Sequence, residues 1–297
     1  KVQDGCDRKC SFCATRLARG ESRSRAPDQV VAEALLLSGR HPELVVTGIH
    51  IGHYGKDLDP TWTLSRLVAL LLDRVPDARF RLGSIEATEV DDLLIDLLAT
   101  SGGRLAPHVH MPLQSGADPV LKLMRRWHTR EQYRVRVLEL AERVSPLGLG
   151  ADVITGFPGE SEHDHDSTRA LIDELPFTYL HVFPFSPRDG TVAVRLPHPV
   201  PQRVSGQRSR ELREIAQAKG REYRETRVGG SAEVVVEGDG GTALTGDYLR
   251  VGVGGALRTA HHHEQTGTLE RLPTGTLQGD ADHLYITLSQ QPSVISA

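Results

Sequence analysis

Three cysteines, Cys6, Cys10 and Cys13, fall within eight residues and are the only thiols in a chain of 297. Thiolates are soft ligands. Three of them on one loop can hold three irons of a cubane iron–sulfur cluster while the fourth iron keeps an open position. A disulfide would strand one thiol, and a chain without further cysteines is no secreted disulfide scaffold. A structural zinc site asks for four protein ligands, usually in paired C-x2-C spacing; no second pair exists here, and His50 or His53 would complete a site only by coincidence of folding.

Other polar clusters recur along the chain: Thr47-Gly48, Ser84 with Glu86, and residues 110–116, 155–160 and 186–191. Each follows an apolar run that reads as a strand, and such runs occupy 2–3, 44–47, 79–82, 108–111, 151–155 and 179–183. Amphipathic stretches between them predict helices over 28–38, with Asp28 as N-cap, and over 64–74, 89–99, 119–126, 130–143 and 162–174. Six strands separated by helices predict a parallel α/β array. In a β/α barrel the strand C-termini converge on one mouth, so the cysteine loop and the later clusters would share one site.

The texture changes after residue 195. Pro197, Pro199 and Pro201 lead into a predicted helix over 202–224, and short β-patterned segments follow at 232–236, 249–253, 268–272 and 283–288, with a turn at 238–241. These predict a small antiparallel barrel over 228–297 after a first domain over 1–225. His261, His262 and His263 sit in a polar stretch that reads as a loop rather than a metal site.

A hydrophobic content of 38% and a charged content of 25% belong to an ordinary globular chain, and no apolar run nears the roughly 18 residues that span a membrane. No secretory leader is read at its start, and a reducing, cytoplasmic setting is expected. The net charge of -4 is unevenly spread: residues 1–27 hold seven Lys/Arg against three Asp/Glu, and 203–227 hold eight against four. Two basic surfaces of this kind suit a nucleic-acid partner or are solvated helix faces.

The C-x3-C-x2-C spacing, with Phe12 at an aromatic position of the loop, resembles the cluster loop of radical S-adenosylmethionine (SAM) enzymes. The resemblance extends along the first domain to the MiaB-like methylthiotransferases, through Ala18-Arg19-Gly20, Val46 to Gly52, Arg81 to Glu86, His110 to Gly116, Asp152 to Glu160 and Phe183 to Thr191. It implies a partial (β/α)6 radical-SAM barrel followed by a TRAM-like, RNA-binding β-barrel. It also implies one 4Fe-4S cluster on Cys6, Cys10 and Cys13, with SAM chelating the open iron. The implied SAM contacts are Thr47, Gly48, Ser84, Glu86, Gln114, Asp152, Ile154 and Gly156. Thr47-Gly48 would offer free backbone groups, and Ile154 to Gly156 an apolar shelf for adenine. Arg126 and Arg188, with Tyr248 and Arg250 in the second domain, are the implied substrate or RNA contacts.

The function so implied is addition of a methylthio group to N6-threonylcarbamoyladenosine beside the anticodon of tRNA, by hydrogen abstraction with a 5′-deoxyadenosyl radical. Isopentenyladenosine in tRNA or an aspartate of a ribosomal protein are the neighbouring substrates, and a non-catalytic RNA-binding protein with a structural metal is the reading from another class. Flavodoxin or ferredoxin would supply electrons, tRNA would be the partner, and the protein would be a monomer off the membrane. Family members hold a second, auxiliary 4Fe-4S cluster in an N-terminal domain with three further cysteines. That domain is not present here, so the chain is expected to be a fragment that cleaves SAM without delivering sulfur.

Overall fold

A computed structural model describes residues 1–59, 61–238, 241–254 and 272–288. The first strand, β1 (Gln3–Asp4), leads through the cysteine loop into α1 (Thr15–Arg19) and returns as β2 (Arg23–Ser24). Four βα units follow: α2 (Pro27–Ser38), β3 (Glu43–Val46), α3 (Leu64–Arg74), β4 (Arg79–Leu82), α4 (Asp92–Thr100), β5 (His108–His110), α5 (Asp118–Leu123), α6 (Arg130–Arg143), β6 (Gly148–Thr155), α7 (Glu162–Glu174) and β7 (Tyr179–Pro184). A long helix, α8 (Gln202–Arg227), then crosses to β8 (Ser231–Glu237), β9 (Thr242–Thr245), β10 (Arg250–Gly254), β11 (Thr274–Gln278) and β12 (Tyr285–Leu288).

The first part is a partial α/β barrel, with one correction to the expected array of six parallel strands. β3 pairs with β4 and β5–β6–β7 form a second parallel sheet, whereas β1 pairs antiparallel with β2. The parallel sheets are stitched by Phe80, which donates to Arg104 O at 2.7 Å and accepts from Ala106 N at 2.7 Å. Pro107 then interrupts the ladder before β5 begins, since proline has no N–H to give. Beside β1 the main chain reaches the array through Val2 N, which donates to Thr47 O at 2.8 Å.

Helix boundaries shift for local reasons. α2 starts at Pro27, whose fixed φ suits the first helical position, so Ala26 rather than Asp28 is the N-cap and Asp28 lies in the first turn. α4 starts at Asp92, where Asp91 caps Leu94 N at 2.8 Å, leaving Glu89 outside the helix. α5 ends at Leu123 and not at Arg126, because Arg125 adopts a left-handed backbone (φ 56°). The core runs beneath all these elements from Val2 to Leu212 and includes Leu67, Val68, Phe80, Leu94, Val109, Leu149 and Val153, each at most 1% exposed.

β8 to β12 close into a five-stranded barrel in the order β10-β12-β11-β8-β9, antiparallel except for the parallel pair β10–β12. β9 and β11 are additional to the expected strands. The expected strand at 268–272 lies outside the described residues except for Leu272, which is not in a strand, as do Asp239 and Gly240 of the expected turn and His261 to His263.

This barrel docks on the starting ends of β4 to β6. Arg81 donates to Thr245 O and Gly246 O, both at 2.9 Å, and Gly148 has no Cβ because one would lie 2.2 Å from Asp247 O. Asp247 is in turn held by Tyr223 OH (2.6 Å) and Arg227 Nε (2.8 Å) of α8. Glu43 secures both arginines of β4 from behind, at 2.6 Å to Arg79 Nε and 2.8 Å to Arg81 Nε. Burial alone would raise the Glu43 carboxyl, but Arg81 and Arg79 hold it below its ordinary value. Replacing Glu43 by Ala leaves two buried guanidinium groups unpaired and is expected to destabilise the protein by about 3–5 kcal/mol in urea denaturation. Because this carboxyl is depressed in the folded state, its contribution is complete above about pH 4.5 and disappears as pH falls through the lower folded value. A Glu43→Ala variant should therefore lose part of the wild-type acid sensitivity; equal stability of the two proteins at pH 7 would refute the role assigned to Glu43.

Candidate active site

The cysteine loop has almost no regular structure and is held by side chains from elsewhere. Gln3, 1% exposed, accepts from Ile49 N (3.1 Å) and His50 N (2.8 Å) and donates to Gly5 O and Ser22 Oγ, both at 2.8 Å. Gly5 turns with φ 70°, where a Cβ would sit 1.8 Å from Glu21 O. Ser11 is buried under the loop, its N–H donating to Met124 O (3.0 Å) and its hydroxyl to Leu123 O (2.7 Å). Phe12 meets Phe157 edge-on with centroids 6.3 Å apart.

Each thiol has its own surroundings. Cys6 Sγ lies 3.5 Å from His50 Nδ1, and the other nitrogen of His50 lies 2.9 Å from the Glu89 carboxylate. Glu89 also receives Arg8 at 2.7 Å and faces His53 at 3.3 Å. Burial works against a charged His50, but Cys6 and Glu89 outweigh it and raise its pKa well above the ordinary value. Burial likewise opposes the Glu89 carboxylate, yet His50, His53 and Arg8 hold it far below the usual carboxylate range. Cys10 faces Arg126 Nη1 at 3.8 Å, and Arg126 is ion-paired with Glu86 and donates to Pro112 O at 2.9 Å. Cys13 is exposed and lies 3.0 Å from the Thr15 hydroxyl.

Beside the loop a cavity of about 330 Å³ is lined by Phe12, Gln114, Asp152, Ile154, Phe183 and Arg188, among others. Gln114 has φ 67°, and its N–H and C=O are both bonded to β6, at Asp152 O (2.8 Å) and Ile154 N (2.9 Å). Asp152 Oδ1 sits between His110 Nε2 (3.2 Å) and His181 Nδ1 (3.3 Å). Tyr179 OH links His110 Nδ1 (3.0 Å) to His108 Nε2 (2.8 Å) below. That bridge needs Gly150 in β6, since a Cβ there would lie 2.0 Å from the Tyr179 ring. The face between β5, β6 and β7 is thus a ladder of polar side chains.

The structure gathers Gln114, Asp152, Ile154 and Arg188 on the cavity and parts the other sequence candidates from it. The Thr47 carbonyl accepts from Val2 N at 2.8 Å, and Gly48 packs on Gln3. Ser84 is exposed off the cavity, and Glu86 is engaged by Arg126. Gly156 turns away, donating to Glu160 Oε2 at 2.7 Å and packing on Ser205 of α8. The Arg126 side chain is 3% exposed and faces Cys10, which corrects its expected contact with RNA: the left-handed Arg125 before it turns the chain inward. Tyr248 stacks on His108 with centroids 4.1 Å apart at the seam of the two barrels, and Arg250 is exposed and paired with Glu237 at 3.0 Å. Sequence reasoning missed Arg8, Glu89, His110, Tyr179 and His181; the recurring histidines in strands β5 and β7 were the available signal.

A model described as the Radical SAM superfamily matches residues 1–172. The chain belongs to the radical SAM superfamily. Its cofactors are therefore a 4Fe-4S cluster and SAM. Solved radical SAM structures agree in fold: the Kitasatospora setae methyltransferase TsrM at TM-score 0.52 and 17% identity over 62% of this chain and 35% of that one, and the Escherichia coli coproporphyrinogen III oxidase HemN at 0.52 and 16% over 73% and 51%. Among curated relatives, the threonylcarbamoyladenosine tRNA methylthiotransferase MtaB of Rickettsia prowazekii is 38% identical over 80% of this chain and 56% of its own length. MtaB of Bacillus subtilis is 39% identical over 75% and 49%, and the tRNA-2-methylthio-N(6)-dimethylallyladenosine synthase of that species 36% over 80% and 47%. The chain spans about half the length of these relatives.

The radical SAM donor set fits its cluster. Among the described residues, the side-chain groups whose ligand atoms converge within 4.8 Å are His50/His53/Glu89 and His110/Asp152/His181, and the three thiols are not among them. Three thiolates on one loop, with no fourth cysteine in the chain, suit three corners of a cubane whose fourth iron stays open. Burial pushes the Cys10 thiol up despite Arg126, whereas Cys13 is exposed. In metal-free protein, alkylation by iodoacetamide followed by mass spectrometry should label Cys13 fastest and Cys10 slowest; the reverse order would contradict the arrangement described.

Proposed function

We propose that these residues form the radical-SAM core (1–225) and the TRAM-like RNA-binding domain (228–297) of a tRNA methylthiotransferase acting on N6-threonylcarbamoyladenosine. The observation that carries the reading is the pairing of a three-thiol loop, opening on the Gln114–Asp152–Ile154 cavity, with a closed five-stranded barrel, in a chain 38% identical to an enzyme named for that reaction. Five-stranded barrels of this size are a recurrent oligonucleotide-binding architecture. When bound, the cluster and SAM supply a 5′-deoxyadenosyl radical able to take hydrogen from an unactivated C–H bond.

The chain's own groups hold and shield. Cys6, Cys10 and Cys13 ligate the cluster, and the buried Arg126 offsets the negative charge that gathers at Cys10. Asp152 and Gln114 offer hydrogen bonds to the ribose and amino groups of SAM, and Ile154 with Phe12 packs on its adenine. Enclosure by this wall keeps water and side reactions from the reacting carbon. Arg188 on the same wall and Arg250 on the second domain meet substrate phosphate or carboxylate. The sulfur comes from an auxiliary 4Fe-4S cluster held outside residues 1–297, and flavodoxin or ferredoxin delivers the electron. The protein works as a cytoplasmic monomer; no helix among the described residues is long and apolar enough to cross a membrane. The relative named for dimethylallyladenosine, at 36% identity, supports that nucleoside as the second reading.

The test is the full-length protein, reconstituted anaerobically with iron and sulfide and given reductant, SAM and tRNA carrying N6-threonylcarbamoyladenosine. Nucleoside mass spectrometry should find a methylthio adduct on that base, tRNA affinity should fall linearly with salt on a log–log plot, and Cys10→Ala should lose iron and 5′-deoxyadenosine formation together. SAM cleavage without any methylthio nucleoside would refute the proposal.

A further inference from the structure

β7 is the free edge of the parallel sheet, and its register with β6 pairs Tyr179 with Gly150, His181 with Asp152 and Phe183 with Ile154. Alternate residues share a face, so Tyr179, His181 and Phe183 form one row; neighbouring rings lie 5.4 and 6.3 Å apart. Within this row His181 is the exposed imidazole, with 54% of its side chain open, and its Nδ1 is held by Asp152. Nε2, on the far side of the ring, has no protein partner among the described residues. His181 and Phe183 both line a groove of about 1010 Å³ that runs between β7, α8 and the second barrel past Arg213, Arg224 and Arg250. Phe183 also lines the 330 Å³ cavity. His181 therefore lines the cationic groove next to Phe183, the residue this groove shares with the cavity, and is held by Asp152 of the cavity wall.

We propose that His181 is the specificity-determining residue for the substituent on the substrate's N6 atom, selecting a polar one that carries hydroxyl, amide N–H and carboxylate groups over a hydrocarbon one. The proposal rests on the reading above, in which RNA occupies the groove and SAM the cavity. With Nδ1–H directed to Asp152, a neutral ring presents Nε2 as an acceptor for a hydroxyl or amide N–H, and a doubly protonated ring presents it as a donor to a carboxylate. A hydrocarbon tail would strip water from Nε2 and return no hydrogen bond, the kind of mismatch that polar sites reject most strongly. The relatives at 38% and 36% identity are named for substrates with these two kinds of tail, so identity over the whole chain does not separate them and a few side chains beside the base must. His110, braced by Tyr179 OH, holds Asp152 from the other side and so fixes the His181 ring.

The experiment measures binding of the full-length, cluster-loaded protein with SAM to fluorescent anticodon stem-loop RNAs. The target adenosine bears a threonylcarbamoyl group, a dimethylallyl group or no substituent. Wild type should bind the threonylcarbamoyl RNA about tenfold more tightly than the dimethylallyl RNA, which corresponds to about 1.4 kcal/mol. His181→Leu should erase that preference by weakening only the threonylcarbamoyl complex, and His181→Asn, which keeps a polar edge, should retain part of it. Wild-type binding without a preference, or equal weakening of all three RNAs by both variants, overturns the proposal while leaving the RNA reading intact. Failure of the wild type to bind any of the three overturns both.

Discussion

Everything at the candidate site depends on how the cysteine loop is anchored, because a segment of bare turns cannot hold three thiols in place by itself. Gln3 supplies the anchor: one amide group satisfies donors at Ile49 and His50 and acceptors across the loop base, at 1% exposure. In the low-dielectric interior such a fully satisfied amide is worth more than it would be in water, and a half-satisfied one would cost free energy. By fixing His50 N it also fixes the imidazole that faces Cys6, and hence Glu89, His53 and Arg8 behind it. Ser11 does the same for the far half of the loop by pinning it to the end of α5, whose abrupt stop at Leu123 is what brings Arg126 to Cys10.

The second constraint is the polar ladder along the inner face of β5 to β7. A lumen filled with Val, Ile and Leu would be the ordinary solution for a β/α barrel. Here His108, His110, Asp152, Tyr179 and His181 occupy it instead, and each carries a hydrogen bond or charge contact to the next. Burial, with help from Arg81 and His110, lowers His108 to a pKa of about 3, so this ring stays neutral and can stack on Tyr248. The ladder thus spans from the docked barrel at one end to the cavity at the other.

The parts of this arrangement that were legible in the sequence are those set by neighbours in the chain. The six apolar runs of the first domain coincide with strands to within a few residues because each is a short extended segment bounded by Gly, Pro or polar turns; five of them pair in parallel, and the first, at 2–3, overlaps the antiparallel β1. β9 and β11 escaped notice because their sequences, Thr-Ala-Leu-Thr and Thr-Gly-Thr-Leu-Gln, bury only small or isolated apolar groups. Cys6, Cys10 and Cys13 were legible because ligand spacing is local. His181 was not, since its partner Asp152 is set by the register between two strands joined through a helix, which no local pattern encodes. For Arg126 the resemblance implies a substrate or RNA contact, and nothing local in the sequence shows that the left-handed turn at Arg125 sends it inward to Cys10.

Backbone conformation ties these features together. Among the described residues, four non-glycine positions have positive φ: Gln114, Arg125, His198 and Tyr248. Each such posture costs about 1–3 kcal/mol and persists only where surrounding contacts over-determine it. Three of the four set groups already described: Gln114 faces the cavity while its amide is bonded on both sides to β6, Arg125 delivers Arg126 to Cys10, and Tyr248 reaches from the second barrel onto His108. The strain therefore falls at the cavity wall, at the thiol loop and at the seam between barrels. A fold under no demand beyond stability would have relaxed these turns with glycine, as it did at Gly5 and Gly190. At Gln114 and Tyr248 the side chain itself serves, an amide on the cavity wall and a ring on His108, which glycine would not supply; at Arg125 it is the turn that serves, by placing the guanidinium of Arg126 at Cys10.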